Sequence, residues 1–360
     1  MVKWIGVAGL MLALSLLISG CQSQPIEKMS IVYGIALEPG QARDSGKPSL
    51  MATYLIPLYK KDGFNNFFIE VKGNSTTKMN DEASLKAGGR LVDQKVQVYL
   101  IEQSLARKGI TPFISQYVSL LNLSANLSIA VTETVPSKLL KLSVKKADAA
   151  TIINDVISKN EEASLIPMTN LLIFARQLEG KGQDPVLPLI REDEEDKNVE
   201  LQGLALFKDD RYVMPLRGYM NMLFFSMMKQ SVHRGQFETE SGDVRMQIER
   251  SKVSYRWQRS RKQMQVRLKV NGRLNQPVDR LTLEMNGPKI SQMKSKAEKE
   301  FEAKINTMIR TFQRAGIDPI GFGAIARSQD RKWNEQSWDK LYPELAIQAD
   351  VQISIDEERR

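Results

Sequence analysis

From Pro288 to about Arg314, the residues Ile290, Met293, Ala297, Phe301, Ile305, Met308 and Phe312 return every three or four positions. That period is helical, and it collects the apolar side chains on one stripe. Lys294, Lys296, Glu298, Lys299, Glu300, Glu302 and Lys304 occupy the other face, with Glu300 and Lys304 at the favourable i,i+4 spacing. The stripe has to be buried, so the segment reads as one amphipathic helix lying on a sheet. Its mixed charges argue against a helix resting on a membrane.

The sequence before this helix supplies the strands. Residues 243–249, 252–258 and 264–270 are strand candidates, and Asn271-Gly272 is a hairpin signal. Val199–Phe207, the turn Lys208-Asp209-Asp210-Arg211 and Tyr212–Leu216 read as a hairpin. Residues 218–229 form an apolar helix whose methionines fit core packing better than an adaptable binding face. The first half alternates short elements. Strands are expected at Ser30–Leu37, Met51–Leu58, Phe67–Val71, Val96–Ile101 and Leu127–Val131. Helices are expected at Asn80–Leu91 with Asn80 as cap, at Glu102–Lys108 closed by Gly109, from Thr111 to about Leu121, and at Asp148–Lys159. The fold class is therefore α+β and multi-domain, with mixed sheets and packed helices. Its C-terminal domain is a strand-rich sheet covered by the long amphipathic helix.

Composition shifts at Gly180–Asn198, where Pro185, Pro188 and the run Arg191–Lys197 read as a solvated acidic linker. A calcium loop would need its acids spaced around a glycine turn. The expected organisation is an N-terminal α+β region at 30–180, in one or two subdomains, a linker at 181–198 and a C-terminal domain at 199–360.

The first residues are an address. Lys3 precedes Trp4–Ile18, an apolar run of fifteen residues, shorter than the ~20 a spanning helix needs. It suits the core of a secretory signal. The run ends in Leu17-Ile18-Ser19-Gly20-Cys21, the pattern of a bacterial lipobox. Residues 1–20 are the expected signal peptide, Cys21 the expected lipidation site and 21–29 the tether. Each buried methylene adds ~0.8 kcal/mol, so a diacylglyceryl group anchors durably where one acyl chain would not. The mature chain has no other apolar run of spanning length, which makes the body a domain tethered outside the cytoplasmic membrane.

A length of 360 residues leaves room for two or three domains. One cysteine and one histidine exclude a disulfide framework, a zinc finger and a multi-histidine metal site. No catalytic, cofactor-binding or metal-binding residue is expected. His233, in Ser231-Val-His-Arg-Gly235, reads as a surface histidine in a loop. The formal charge of +9 favours an anionic neighbourhood such as a phospholipid surface or cell-wall polymer. Nucleic acid is not expected, because no nucleic-acid-binding pattern accompanies the charge. Gly321-Phe-Gly323-Ala-Ile-Ala326 nominally fits a dinucleotide fingerprint, but a long helix rather than a strand precedes it. Its glycines instead suit positive φ or close backbone approach, with Phe322 buried.

Ile317-Asp318-Pro319-Ile320-Gly321-Phe322-Gly323 follows the long helix, then Trp333 and Trp338, then an alternating strand at Ala346–Ile355. In this order the chain resembles the Ger(x)C family, the lipoprotein C subunits of spore germinant receptors. That family ends in a long helix, an Asp-x-x-Gly-Phe-Gly turn, a Trp-containing short helix and a terminal strand. The matching structural signature here is Asp318, Gly321, Phe322, Gly323, Trp333 and Trp338. Gly203–Asp210, Val96–Ile110 and Ile31–Ala36 resemble other family segments. Gln22–Glu27, Asp93-Gln94-Lys95 and Asn122–Asn126 depart from the family's usual residues.

The resemblance implies a non-catalytic subunit of a nutrient-germinant receptor on the extracytoplasmic face of the spore inner membrane. Its implied partners are a large A subunit, a polytopic B subunit and the membrane itself. A rival reading is an extracytoplasmic solute-binding lipoprotein delivering a ligand to a permease, which predicts two matched α/β lobes around a cleft. An extracytoplasmic hydrolase is the third, weakened by the lone histidine.

Overall fold

A computed structural model describes residues 29–40, 49–60, 63–88, 90–119, 127–142, 147–274 and 287–355. The N-terminal half runs β1 (Met29–Ile31), β2 (Gly34–Gly40), β3 (Ser49–Lys60), β4 (Gly63–Gly73), α1 (Thr76–Lys86), β5 (Arg90–Val92), β6 (Val98–Glu102), α2 (Gln103–Ala106), α3 (Thr111–Ser119) and β7 (Ser128–Thr132). Then come α4 (Pro136–Leu140), α5 (Ala149–Glu162), α6 (Leu171–Glu179), β8 (Val186–Asp193), β9 (Asn198–Lys208) and β10 (Arg211–Arg217). The rest comprises α7 (Tyr219–Lys229), β11 (Gly235–Glu238), β12 (Arg245–Gln258), β13 (Gln263–Leu274), α8 (Gly287–Ala315), α9 (Phe322–Gln329), α10 (Glu335–Leu341) and β14 (Ala346–Ile355).

These strands build a mixed eight-stranded sheet in the order β10-β9-β8-β7-β6-β2-β3-β4. Its middle strands β2, β6, β7 and β8 are parallel, and an antiparallel pair flanks each side. The middle strands are buried on both faces, as parallel strands require, and every residue of β7 is buried. One face carries α1, α3 and α6 over Tyr54, Ile69, Tyr99 and Phe207. The other carries α5 and α7 and continues without a break into the second sheet.

The second sheet has four strands in the order β11-β12-β13-β14, with β14 parallel to β13. Inward residues alternate along it: Met264, Val266, Leu268 and Val270 on β13, then Ala349, Val351 and Ile353 on β14. Helix α8 lies on this sheet with Ala297, Phe301, Ile305, Ile309 and Phe312 buried. The Phe301 ring meets Phe237 at 4.3 Å and Phe224 at 5.0 Å. The methionine-rich α7 is therefore a wedge between sheets, with Met222 through Met228 all buried. Carboxylates of α8 also reach the last strand: Val351 N–H donates to Glu302 Oε1 at 3.1 Å and Ile353 N–H to Glu298 Oε1 at 2.8 Å. Lys304 pairs across to Glu240, and Glu240 N–H donates to Glu300, so these two helix residues serve the β11–β12 loop. Among the described residues no helix is long and apolar enough to cross a membrane.

Several expectations are corrected. The stretch 181–198 is not a linker: Val186–Asp193 is β8, paired with β9 along its length, and Leu187, Leu189 and Ile190 are fully buried. The acids around Glu194 only turn the hairpin. Pro188 is tolerated because β8 pairs with β7 only beyond it, at Leu189 and Ile190. Strands β9 and β10, read as opening the C-terminal domain, complete the large sheet. Asn271-Gly272 is no hairpin turn but lies within β13, opposite a bulge in β12, where a Cβ on Gly272 would meet Gln247 O at 2.4 Å. The turn forms instead at Arg259–Lys262, and β12 is one continuous strand. Helix α1 starts at Thr76 rather than Asn80, and Leu91 belongs to β5.

Candidate functional site

Helix α8 ends at Ala315, and Gly316, at φ 67°, turns the chain toward Asp318. The Asp318 side chain then folds over the start of α9. Its Oδ1 accepts the N–H groups of Gly321 at 2.8 Å and Phe322 at 2.9 Å, and its Oδ2 accepts Gly323 N–H at 2.8 Å. These are orphan donors of a helix N-terminus, where negative charge is favoured. The place a phosphate would take in a dinucleotide motif is thus filled by a carboxylate of the chain itself.

The turn is clamped to the N-terminal half. Asp318 N–H donates to Asp184 Oδ2 at 2.6 Å, and Asp184 N–H donates to Asp318 O at 2.9 Å. Asp184 also accepts Lys208 Nζ at 3.4 Å and Asp209 N–H at 3.3 Å, which ties in the β9–β10 turn. Ala324 N–H donates to Gly182 O at 2.7 Å. Gly182 and Gly323 touch backbone to backbone: a Cβ on Gly323 would stand 2.7 Å from Gly182 Cα and 2.5 Å from Trp338 Nε1. From the end of α7, Lys229 Nζ donates to Pro319 O at 3.0 Å and Ile320 O at 3.2 Å. Tyr342 hydroxyl donates to Ile317 O at 2.9 Å, and Gln313 Nε2 to Tyr342 O and Leu345 O.

The aromatic members pack around this knot. Phe322 is fully buried with its ring edge-on to Tyr255 at 5.9 Å. Trp338, on α10, is buried between Trp257 at 5.5 Å and Tyr342 at 6.1 Å. Trp333 precedes α10, half-buried, with the Arg327 guanidinium 5.9 Å from its ring centre. The signature residues from Asp318 to Gly323 and Trp338 therefore converge on one buried joint, with Trp333 at its margin.

Burial dominates the electrostatics. It pushes the Asp318 carboxyl up to about 6, against the pull of its three N–H donors, and the neighbouring Asp184 carboxyl adds to the rise. Burial also raises Asp184, against the bond from Asp318 N–H and the Lys208 charge. It lowers Lys229, which Asp318 partly offsets. Burial raises the Tyr255 and Tyr342 hydroxyls, with Asp318 contributing. Two carboxyls, one ammonium and a ring of backbone groups are thus spent on one another. The arrangement positions chain segments rather than exposing a reacting atom.

Cys21 lies outside the described residues. His233 is exposed in the loop between α7 and β11. Asp184, Gly182, Lys229, Gln313, Tyr255 and Tyr342 were not singled out from sequence. The one signal pointing to Asp184 was its dipeptide: Asp184-Pro185 repeats Asp318-Pro319.

Two family descriptions match the chain. "Spore germination protein N-terminal domain" covers residues 22–192, and "Spore germination B3/ GerAC like, C-terminal" covers residues 202–358. They part at the hairpin between β8 and β9. The chain is similar to the spore germination protein GerQC of Bacillus cereus, 26% identical over 365 residues and 98% of each chain. The crystal structure of the GerBC protein is similar in fold, with a TM-score of 0.60 at 14% identity over 91% of this chain and 98% of that one.

Proposed function

The chain belongs to the Ger(x)C family of spore germination proteins, and from that membership we propose that it is the non-catalytic lipoprotein subunit of a nutrient-germinant receptor. In this reading Cys21 carries a diacylglyceryl anchor on the extracytoplasmic face of the spore inner membrane. The body assembles there with the large A subunit and the polytopic B subunit. Confinement to two dimensions raises its effective concentration for those partners, so modest contacts suffice to hold the complex.

The observation that carries the reading is the use of Asp318. Both of its carboxylate oxygens are taken by backbone N–H groups of the next turn, so the family's signature welds the fold instead of meeting a substrate. A solute-binding protein would place its ligand between two like lobes. Here the two sheets are unlike, and the buried helix α7 fills the space between them.

The test is made in spores. An affinity-tagged chain should co-purify with the A and B subunits from detergent-extracted inner membranes. Spores lacking the chain should lose their response to one nutrient while a nutrient-independent trigger still germinates them. Normal nutrient responses in those spores would refute the reading.

A further inference from the structure

The large sheet has one rim where exposed apolar side chains gather. The N-terminal ends of β2, β6 and β7 are level there, in the registers Gly34–Val98 and Val98–Ser128. Gly34 lies opposite Leu55, so the end of β3 and the start of β4 project from the same rim. On that projection Leu58 and Phe67 are diagonal neighbours on one face, 47% and 42% exposed. Helix α1 turns back toward the rim, with Lys86 Nζ bonded to Glu70 O at 2.9 Å, and its last turn carries Leu85, 88% exposed. Leu171 N–H donates to Leu127 O at 3.0 Å just ahead of β7, which sets Met168 and Leu172, 62% and 41% exposed, on the rim as well. Among the described residues seven large apolar side chains are this exposed, and five of them are here. The other two, Val135 and Tyr219, follow the opposite ends of β7 and β10.

The chain enters the fold at this rim. Met29 pairs with Arg90, and β1 leads through Val32 and Tyr33 into the start of β2. Cys21 is eight residues before Met29. Fully extended, that length spans at most about 28 Å. Arg90 and Lys95 are exposed beside it, and Lys60-Lys61 follows Leu58 in sequence. A short anchored tether, a set of protruding apolar side chains and flanking basic residues together match an anionic bilayer surface.

We propose that this rim rests on the membrane, with Leu58, Phe67, Leu85, Met168 and Leu172 entering the interfacial layer of an anionic phospholipid bilayer while Arg90 and Lys95 meet its headgroups. The proposal rests on the lipid anchor at Cys21, which holds the rim within reach. It fixes which end of the eight-stranded sheet faces the bilayer.

Depth measurements test it. Cys21 is the only cysteine and is consumed by the lipid, so Leu85→Cys, Met168→Cys and Tyr219→Cys each offer one free thiol for an environment-sensitive fluorophore. The lipidated full chain is reconstituted into phosphatidylglycerol-containing vesicles with or without brominated acyl chains. Probes at 85 and 168 should shift to the blue and lose most of their emission to bromine, while the probe at 219 stays unchanged. Equal signals at all three positions, or no quenching at 85 and 168 in protein that floats with the vesicles, would overturn the rim and leave the anchor standing. Shielding that appears only after the polytopic subunit is added would assign the rim to a protein partner and overturn the proposal too. If the Cys21→Ala chain floats as readily as wild type, the anchor reading falls, and the same probes in that chain still decide the rim. A wild-type chain that does not float defeats both.

Discussion

Asp184 and Asp318, 134 positions apart, hold each other by the backbone: the N–H of Asp318 meets the carboxylate of Asp184, and the N–H of Asp184 meets the carbonyl of Asp318. Each residue is followed by a proline, which has no N–H to compete and bends the chain away. One aspartate belongs to the eight-stranded half and the other to the turn behind α8. The joint between the halves is therefore made of buried polar groups bonded to one another, where losing one partner leaves the others unsatisfied.

Asp318→Ala removes the acceptor of three buried N–H groups and should destabilise the chain by roughly 3–5 kcal/mol. Urea denaturation of the full mature chain measures this. The segment 199–360 alone is unsuitable, because β9 and β10 belong to the large sheet. A midpoint within error of wild type would show that the turn holds itself without its carboxylate.

The same carboxyl predicts a pH dependence. Its folded value is raised from 3.8 to about 6, so the folded state holds the proton more tightly than the unfolded chain does. The associated stability is fully present below about pH 4 and lost as pH rises through about 6, to a total of roughly 3 kcal/mol. Asp184, also raised, acts in the same direction. Wild type should therefore lose more stability than Asp318→Asn between pH 4 and 6.5. Parallel profiles for the two proteins would count against a buried charge at this position.

Phe322→Ala empties a fully buried site against Tyr255. It should cost roughly 3–5 kcal/mol, as large-to-small core substitutions do. Spores carrying it should hold less of the protein and respond weakly to their nutrient. Wild-type abundance together with an unchanged urea midpoint would contradict this burial.

Gly323→Ala should be far more harmful than Gly316→Ala. The first puts a methyl within 2.7 Å of Gly182 Cα, whereas the second opens onto free space and suffers only the strain of its φ of 67°. That strain is of the order of 1 kcal/mol. Trp338 emission should shift to the red only in the first variant, because its indole lines the contact. Equal losses in both would mean that the halves can separate slightly without penalty.

Cys21→Ala should abolish labelling by a radioactive fatty acid and release the protein from membranes lacking its partners. Equal labelling of wild type and variant would place the acyl chains elsewhere.

What the sequence disclosed followed local period. Helix α8 stood out because its stripe repeats over about six turns, and the β9–β10 hairpin because Lys208–Arg211 separates two apolar runs. Strand β8 was hidden: Pro188 argued against a central strand, and the acidic turn after it lent its polarity to the whole stretch. Asn271-Gly272 carried the residues of a hairpin turn, but the close approach of Gln247 O used the glycine for a bulge. The signature from Asp318 to Gly323 was legible as a turn, since Asp, Pro and Gly each have a local preference. Its partner Asp184 was not, because no local pattern tells which of two Asp-Pro dipeptides will face the other.

The two glutamates of α8 that reach β14 have a consequence for crowding. A final strand at the border of a sheet ordinarily offers bare N–H groups to any passing strand. Here Glu302 and Glu298 already occupy those of Val351 and Ile353. Two outward N–H groups of this border are thus closed to any other strand, which shortens the seam a second copy could pair with.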